Sequence, residues 1–470
     1  MSALVMKYGG TSVGDASAFA QVKDIVSGHA KSGDRVIAVV SAMSGVTDDL
    51  TRGIIGAAAG DEETYHKVCQ SLRKRHLDLI TELLGNDLAC DSLISTLDSL
   101  ISEYERLCAS VYVLGEVTPR TMDAALSRGE RLSARILVAL LQQNGMRSEA
   151  IDATELIVTD ATFGNAAPIA QPTRERIASH LAPLLDADVI PVVTGFIAAT
   201  DDGVTTTLGR GGSDYTAAII GDALNVDAVW IFTDVDGVMT ADPRIVPNAR
   251  VIPVISYTEV GELAYFGAKV LHPRTIRPVI EREIPVWVKN TFHPDQPGTR
   301  IVRDVTNTHG TVKAVTMITD LSMVTVAGRG MVGVPGIAGR TFSAVAREKT
   351  SVLMISQASS EQSICFIIPT AGTEAVVRAL QEEMTRELSR RDIDRIWSDD
   401  GIVIISAIGT GMRGTPGISA RIFGALGSVG INVIAIAQGS SECSISLVVD
   451  ASDATRAVQQ IHKEVINHGK

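Results

Sequence analysis

Two short runs of small residues, each built around one fixed charge, mark where this 470-residue chain could do chemistry. The first is Met6-Lys7-Tyr8-Gly9-Gly10-Thr11-Ser12 and the second is Thr207-Leu208-Gly209-Arg210-Gly211-Gly212-Ser213-Asp214-Tyr215. In each, an apolar strand gives way to an amphipathic helix. Gly9 and Gly10 let the backbone approach an anion closely, and the helix that follows aims its first N–H groups at that anion. Arg210 adds a planar fork that can grip a carboxylate bidentately, with Asp214 beside it. One such run alone would be an ordinary tight turn. Two of them, about 200 residues apart and each with its own charge, point to two anionic reactants brought together.

Around these runs, residues 1–300 read as short apolar strands alternating with helices, among them strands at 36–41, 189–194, 228–233 and 284–288. The strands are continuously apolar, as expected of a sheet buried by helices on both faces. Residues 61–115 differ: Leu93, Leu97, Leu100, Ile101 and Tyr104 recur at helical spacing, which predicts a helical excursion packed helix on helix. His293-Pro-Asp-Gln-Pro-Gly298 is a turn-rich exit from this region. Beyond it lies an internal repeat. Gly328-Arg-Gly-Met-Val-Gly-Val-Pro-Gly-Ile-Ala-Gly-Arg-Thr-Phe342 answers Gly409-Thr-Gly-Met-Arg-Gly-Thr-Pro-Gly-Ile-Ser-Ala-Arg-Ile-Phe423 at a constant offset of 81 residues. Each unit is read as strand, glycine turn, helix, strand, strand, helix, strand. Both glycine runs satisfy Gly-x-Gly-x-x-Gly, but the strand that follows the first ends without the acidic residue a dinucleotide site needs, and the units are too small for a doubly wound domain.

Four motifs carry a family resemblance: Lys-Tyr-Gly-Gly-Thr-Ser at 7–12, Thr-Thr-Leu-Gly-Arg-Gly-Gly-Ser-Asp at 206–214, Thr-Asp-Val-Asp-Gly-Val at 233–238 and Phe-Gly-Ala-Lys-Val-Leu-His-Pro at 266–273. With these, the chain resembles the aspartokinases of the amino acid kinase superfamily from end to end. The repeat resembles a pair of ACT domains, small modules that bind amino-acid effectors and pair with one another. The resemblance implies an α/β fold, a three-layer sheet sandwiched by helices over residues 1–300, then two ferredoxin-like ACT domains at 312–395 and 400–470. It implies transfer of a phosphoryl group from MgATP to the side-chain carboxylate of L-aspartate. That is the first step toward lysine, threonine and methionine (and diaminopimelate), under feedback by an end product.

Such a transfer needs charge neutralisation on the migrating group, in-line placement of the acceptor and little covalent help. A carboxylate is already a nucleophile, so no general base is required. By the resemblance, Lys7, Asp214 and Lys269 are catalytic, Asp214 orienting the lysines. Taken alone, Lys7 would be a solvated lysine at a strand end, Lys269 a helix-surface lysine and Asp214 a helix cap. Thr47, Glu130, Arg210, Gly211, Gly212 and Ser213 are implied to hold aspartate, Arg210 on a carboxylate and Glu130 on the ammonium; alone, Glu130 reads as a dipole partner in the first turn of a helix. Lys7, Gly9, Gly10, Thr233, Asp234, Met239, Arg244, Lys269 and Val270 are implied to bind ATP, with Met239 where the family often carries tyrosine. Magnesium is expected on the nucleotide phosphates and water, with no dedicated protein ligands. Gly333, Pro335, Gly336, Ile337, Ala338 and Gln357 are the expected effector pocket, whose alternative reading is a set of tight turns.

A formal net charge of -12 and the lack of a basic stripe argue against nucleic-acid binding. Five scattered cysteines without a Cys-x-x-Cys pair fit reduced thiols in the cytoplasm. No membrane-length apolar run and no leader-like start are evident. The expectation is therefore a cytoplasmic, monofunctional enzyme without a fused homoserine dehydrogenase, forming a homodimer or homotetramer through its ACT domains and regulated by lysine, threonine or both. Two other readings remain: a relative acting on glutamate, acetylglutamate or a nucleotide, and an amino-acid sensor without catalysis.

Overall fold

The computed structural model describes residues 2–85, 88–267, 271, 273–305, 312–332, 334–357 and 362–466. The chain divides into two compact units. The first comprises Met1–Val238, Val251–Tyr257 and Leu271–Asp304, and the second Met239–Arg250, Thr258–Val270 and Val305–Lys470. Two segments within the 1–300 span thus pack with the C-terminal part of the chain.

The first unit is organised by an eight-stranded sheet in the order Ser148–Ile151, Ile190–Thr194, Arg35–Val40, Ala3–Tyr8, Ala228–Thr233, Val286–Asn290, Thr299–Val302, Val254–Ser256. All neighbours are parallel except Val286–Asn290 with Thr299–Val302. The central strands are apolar throughout because both faces are covered. Leu4, Met6 and Tyr8 pack with Phe19 and Val22 of the helix Ala16–Lys31 and with Leu137 of Arg128–Gln143. The odd-numbered residues of the same strand face the other way, toward the helix Gly212–Leu224. This period of two puts Lys7 on the face that meets the first turn of Gly212–Leu224. The result is the expected layered α/β sheet.

The helical excursion forms as the spacing predicts, with helices Glu62–Leu84 and Leu88–Leu114 packed on Val46–Ala58. Leu97, Ile101 and Tyr104 are buried there, Leu93 and Leu100 pack at the edge, and the Tyr104 hydroxyl donates to the Leu50 carbonyl at 2.7 Å. No helix among the described residues is long and apolar enough to cross a membrane.

The second unit holds a six-stranded antiparallel sheet in the order Met354–Gln357, Ser363–Pro369, Ala314–Ala327, Arg395–Ile408, Ser444–Asp450, Ala435–Gln438. Its two central strands are long because each serves both repeats. Leu321–Ala327 pairs with Ser363–Pro369, and Ile402–Ile408 pairs with Ser444–Asp450, with a register shift between Ile318 and Leu321. The expectation of two self-contained repeats in series is therefore corrected. The second repeat closes on the helix Ala454–Ile466, and its fourth strand is the start of Ala314–Ala327, which precedes the first repeat. Val315 accordingly lies in the second core with Val403, Leu447 and Ile461, whereas Val324 and Val326 lie in the first with Ile337, Phe366 and Leu380.

The segments from the 1–300 span are anchored in this second unit. Ala241 and Val246 join its second core. Glu259, fully buried, accepts from the Thr410 N–H at 2.7 Å and the Thr410 hydroxyl at 2.8 Å, and pairs with Lys313 at 3.2 Å. A buried charge needs such partners to be tolerated.

Candidate active site

In the first unit, the C-terminal ends of the parallel strands open on a cavity of about 410 Å³, within the range of small-molecule sites. Lys7, Gly10, Thr47, Glu130, Arg210, Gly211, Gly212, Ser213 and Asp214 line it together with the loop from Ser41 to Gly45. Nine residues singled out for anion and aspartate handling thus meet in one place, although they come from four separate stretches of chain.

Lys7 ends its strand beside the first glycine turn, and its Nζ meets Asp214 Oδ1 at 2.6 Å, both side chains being mostly shielded from water. The pair holds the ammonium at the cavity wall. Gly9 donates its N–H to the Phe232 carbonyl at 3.2 Å, tying the turn to the neighbouring strand. Gly10 lies so close to the next loop that a β-carbon there would sit 3.1 Å from the Ala42 carbonyl oxygen. Behind the turn, buried Ser12 receives the Thr291 hydroxyl at 2.6 Å.

Arg210 is exposed at the cavity rim, and no ion pair engages it among the described residues. Its position is set by two left-handed glycines, Gly209 with φ 74° and Gly211 with φ 73°, a conformation other residues resist. Ser213, in the first turn of the helix, accepts from the Ser41 hydroxyl at 2.9 Å, which joins the two sides of the cavity.

Glu130 lies in the first turn of Arg128–Gln143 and is 3% exposed, with Oε2 lacking any hydrogen-bond partner. Burial pushes its carboxyl up to about 7, against the opposing pull of the Ala42 and Glu130 N–H groups. A buried acid with one idle oxygen, facing a cavity, is disposed to receive a cation such as an ammonium group.

The sign of the linkage follows from the raised value. The unfolded chain loses this proton near 4.5, while the folded chain keeps it to about 7. Stability contributed by the neutral acid is therefore lost as pH rises between those values, on the order of 3 kcal/mol in all. Glu130→Gln should remove this dependence and melt higher than the parent at pH 8, checked by thermal unfolding across pH 5–8.

Asp123 was not anticipated from the sequence. It is 1% exposed and accepts from the Thr207 N–H at 3.0 Å, the Thr207 hydroxyl at 2.7 Å and the Gly164 N–H at 2.9 Å. Burial still pushes its carboxyl above the usual carboxylate range. It braces the strand Thr205–Thr207 immediately before the Arg210 turn. Asp123→Ala would strand the two buried donors of Thr207, and we expect it to cost about 3 kcal/mol, read as a lower denaturation midpoint at unchanged m.

Thr233 ends the strand beside Lys7's own, and its hydroxyl donates to Asp234 at 3.0 Å. Met239 and Arg244 belong to the second unit, where Arg244 pairs through Nε and Nη2 with Asp242, the shortest contact being 2.6 Å. Lys269 and Val270 lie outside the described residues, as does Gly333. Among the described residues, no group of three His, Cys, Asp or Glu side chains is placed to hold a metal ion.

A second cavity, of about 320 Å³, opens in the first repeat. Pro335, Gly336, Ile337, Ala338 and Gln357, all expected in an effector pocket, line it with Met331, Val334 and Ile364. Gly336, at φ 93°, begins the helix Ile337–Arg347. In the second repeat a comparable turn is already engaged, the Gly414 N–H donating to Glu442 at 2.8 Å.

A layered sheet with glycine turns at its strand ends, a lysine–aspartate pair and an arginine with no ion pair among the described residues make an anion-binding site. Residues 2–290 match the amino acid kinase family, and residues 324–384 and 405–465 match the ACT domain. The chain is 37% identical over 465 residues to bifunctional aspartokinase/homoserine dehydrogenase 1, chloroplastic, of Arabidopsis thaliana, covering 97% of this chain and 50% of that one. It thus spans about half the length of the bifunctional relatives it matches. It is 33% identical over 473 residues to aspartokinase 1, chloroplastic, of the same plant, covering 99% of this chain and 80% of that one. Among solved structures, E. coli aspartokinase III is similar at 29% identity, both with lysine and aspartate bound (TM-score 0.80) and with aspartate and ADP bound (TM-score 0.79), covering 98% of this chain and 99% of that one. The chain belongs to the aspartokinase family.

Proposed function

We propose that this chain is an aspartate kinase, transferring the γ-phosphoryl group of MgATP to the side-chain carboxylate of L-aspartate to give ADP and 4-phospho-L-aspartate. The observation that carries this reading is the pairing, across one cavity, of an unengaged guanidinium on Arg210 with the idle buried oxygen of Glu130. Together they match the carboxylate and ammonium of a free amino acid, which leaves its side chain to reach toward Lys7. An N-acylated amino acid has no ammonium for Glu130. The complex of E. coli aspartokinase III with aspartate and ADP supports the same choice of reactants.

In the proposed reaction, Arg210 clasps the α-carboxylate, aided by Ser213 and the N–H groups of Gly211 and Gly212, while Glu130 and Thr47 hold the ammonium end. The carboxylate attacks phosphorus in line, with no proton to remove. Lys7 and the Gly9-Gly10 turn neutralise charge on the migrating phosphoryl group, Asp214 fixes the lysine, and Lys269 is assigned the nucleotide side. Thr233, Asp234, Met239, Arg244 and Val270 are the residues that the family resemblance assigns to the nucleotide. Magnesium would enter with ATP and be held by its phosphates and by water.

Glu130 must be ionised to pair with ammonium. The KM for aspartate should therefore fall as pH rises through about 7, and binding at lower pH should release a proton. Calorimetry in buffers of differing ionisation enthalpy measures that proton.

The cavity at Gln357 is proposed to bind the feedback amino acid, lysine or threonine, in line with the lysine complex of E. coli aspartokinase III. Gln357→Ala should raise the inhibitor concentration for half-inhibition about tenfold at unchanged basal rate, the loss of one hydrogen bond to the effector. We further place the enzyme in the cytoplasm as a homodimer or homotetramer, its five cysteines unpaired as in a reducing compartment.

The test is ATP-dependent trapping of acyl phosphate by hydroxylamine, with aspartate, glutamate and N-acetylglutamate in parallel. Hydroxamate from aspartate alone is expected. Hydroxamate from N-acetylglutamate, or none from any of the three, would overturn the proposal.

A further inference from the structure

The helical excursion sends one cation back to the cavity. Arg75, on the helix Glu62–Leu84, donates Nη1 to the Ser44 carbonyl at 2.8 Å and Nη2 to the Gly14 carbonyl at 3.1 Å. Ser44 sits in the cavity loop that leads to Thr47, whereas Gly14 closes the turn that begins at Gly9 and Gly10. One guanidinium therefore fastens the loop on the aspartate side to the loop on the phosphate side. The two loops otherwise meet through the Ser44 N–H, which donates to the Gly10 carbonyl at 3.1 Å. No carboxylate pairs with Arg75 among the described residues, so both donor arms are spent on backbone carbonyls.

We propose that Arg75 is a positioning residue that sets the gap between the two reactants by clamping these loops to each other. This rests on the kinase reading above. An in-line displacement is sensitive to that gap, since misplacement by about 1 Å can cost on the order of 100-fold in rate. The fork is what matters: a lysine has the charge but is a compact point donor on a flexible stem, ill suited to spanning two fixed carbonyls.

The experiment compares Arg75→Lys and Arg75→Ala with the parent for kcat, for both KM values and for amide hydrogen exchange. Both variants are expected to lose at least about tenfold in kcat with KM values changed less than about threefold, the signature of an interaction that acts on the transition state. Exchange should quicken in 9–14 and 41–47 while Glu62–Leu84 stays protected. Guanidinium ion at low concentration should restore part of the Arg75→Ala rate, and ammonium should not.

Parental kcat in Arg75→Lys would overturn the proposal in favour of charge alone. So would loss of protection throughout Glu62–Leu84, which would mark a folding defect. Should the parent itself form no phosphoaspartate, the kinase reading fails. The exchange in the two loops then still decides whether Arg75 clamps them.

Discussion

Lys7→Ala should lower kcat by roughly 100- to 1,000-fold, about 3–4 kcal/mol of transition-state stabilisation, while the protein still binds aspartate. In the proposed reaction Lys7 faces the migrating phosphoryl group, from the end of a buried strand and braced by Asp214 at 2.6 Å. The loss should appear in kcat more than in either KM, because the contact strengthens as the phosphorus–oxygen bond to ADP breaks. The substitution also leaves a shielded Asp214 without its cation, so part of any change in melting temperature belongs to that unpaired charge. The double variant Lys7→Ala/Asp214→Asn separates the two effects. It should recover stability without recovering rate, as measured by thermal unfolding alongside initial velocities.

Arg210→Ala should reduce kcat/KM for aspartate by about 100-fold or more, near 3 kcal/mol, with KM for ATP unchanged. No ion pair engages the guanidinium among the described residues, so the effect of removing it is expected to fall on the substrate. Arg210→Lys should regain only part, since a point charge cannot reproduce a bidentate grip. Steady-state kinetics with each substrate varied in turn check this. A rise in KM for ATP equal to that for aspartate would mean that Arg210 holds phosphate.

The residues proposed to act on the reactants were legible in the sequence because two glycine runs, each with its own charge, stand together with the family motifs. Either run alone would read as an ordinary tight turn; the pair, with the four motifs, singles these residues out. Lys7, Arg210 and their neighbours were found this way, and the structure gathers them around one cavity. The residues that hold them in place were not legible. Asp123 sits in Thr-Met-Asp-Ala-Ala-Leu, which reads as a helix with a solvated acid. Nothing local says that it turns inward to Thr207, 84 residues away. Arg75 lies in Leu-Arg-Lys-Arg-His, a basic run that resembles any exposed helix face. In both cases the information is tertiary.

The same division runs through the fold. Continuous apolar runs showed a two-sided sheet, and the 81-residue offset showed two modules. The exchange of a strand between those modules was hidden, since Ala314–Ile318 is an unremarkable apolar segment that precedes the first repeat while its partner, Ile404–Ile408, opens the second. The burial of Glu259 was hidden for a related reason. Its partners Lys313 and Thr410 come from distant segments, and a glutamate in the first turn of a helix ordinarily needs no explanation beyond the dipole.

The central claim is that the side-chain carboxylate of aspartate attacks the γ-phosphorus directly in the Lys7–Arg210 cavity. It is tested most directly with aspartate carrying ¹⁸O in that carboxylate. After turnover with MgATP, hydroxylamine attacks the acyl carbon and releases phosphate with its bridging oxygen. The account predicts ¹⁸O in that phosphate, formed only with aspartate present and lost in step with activity in Lys7→Ala. Aspartyl hydroxamate accompanied by phosphate without label, or labelled phosphate at the parental rate in Lys7→Ala, would contradict it.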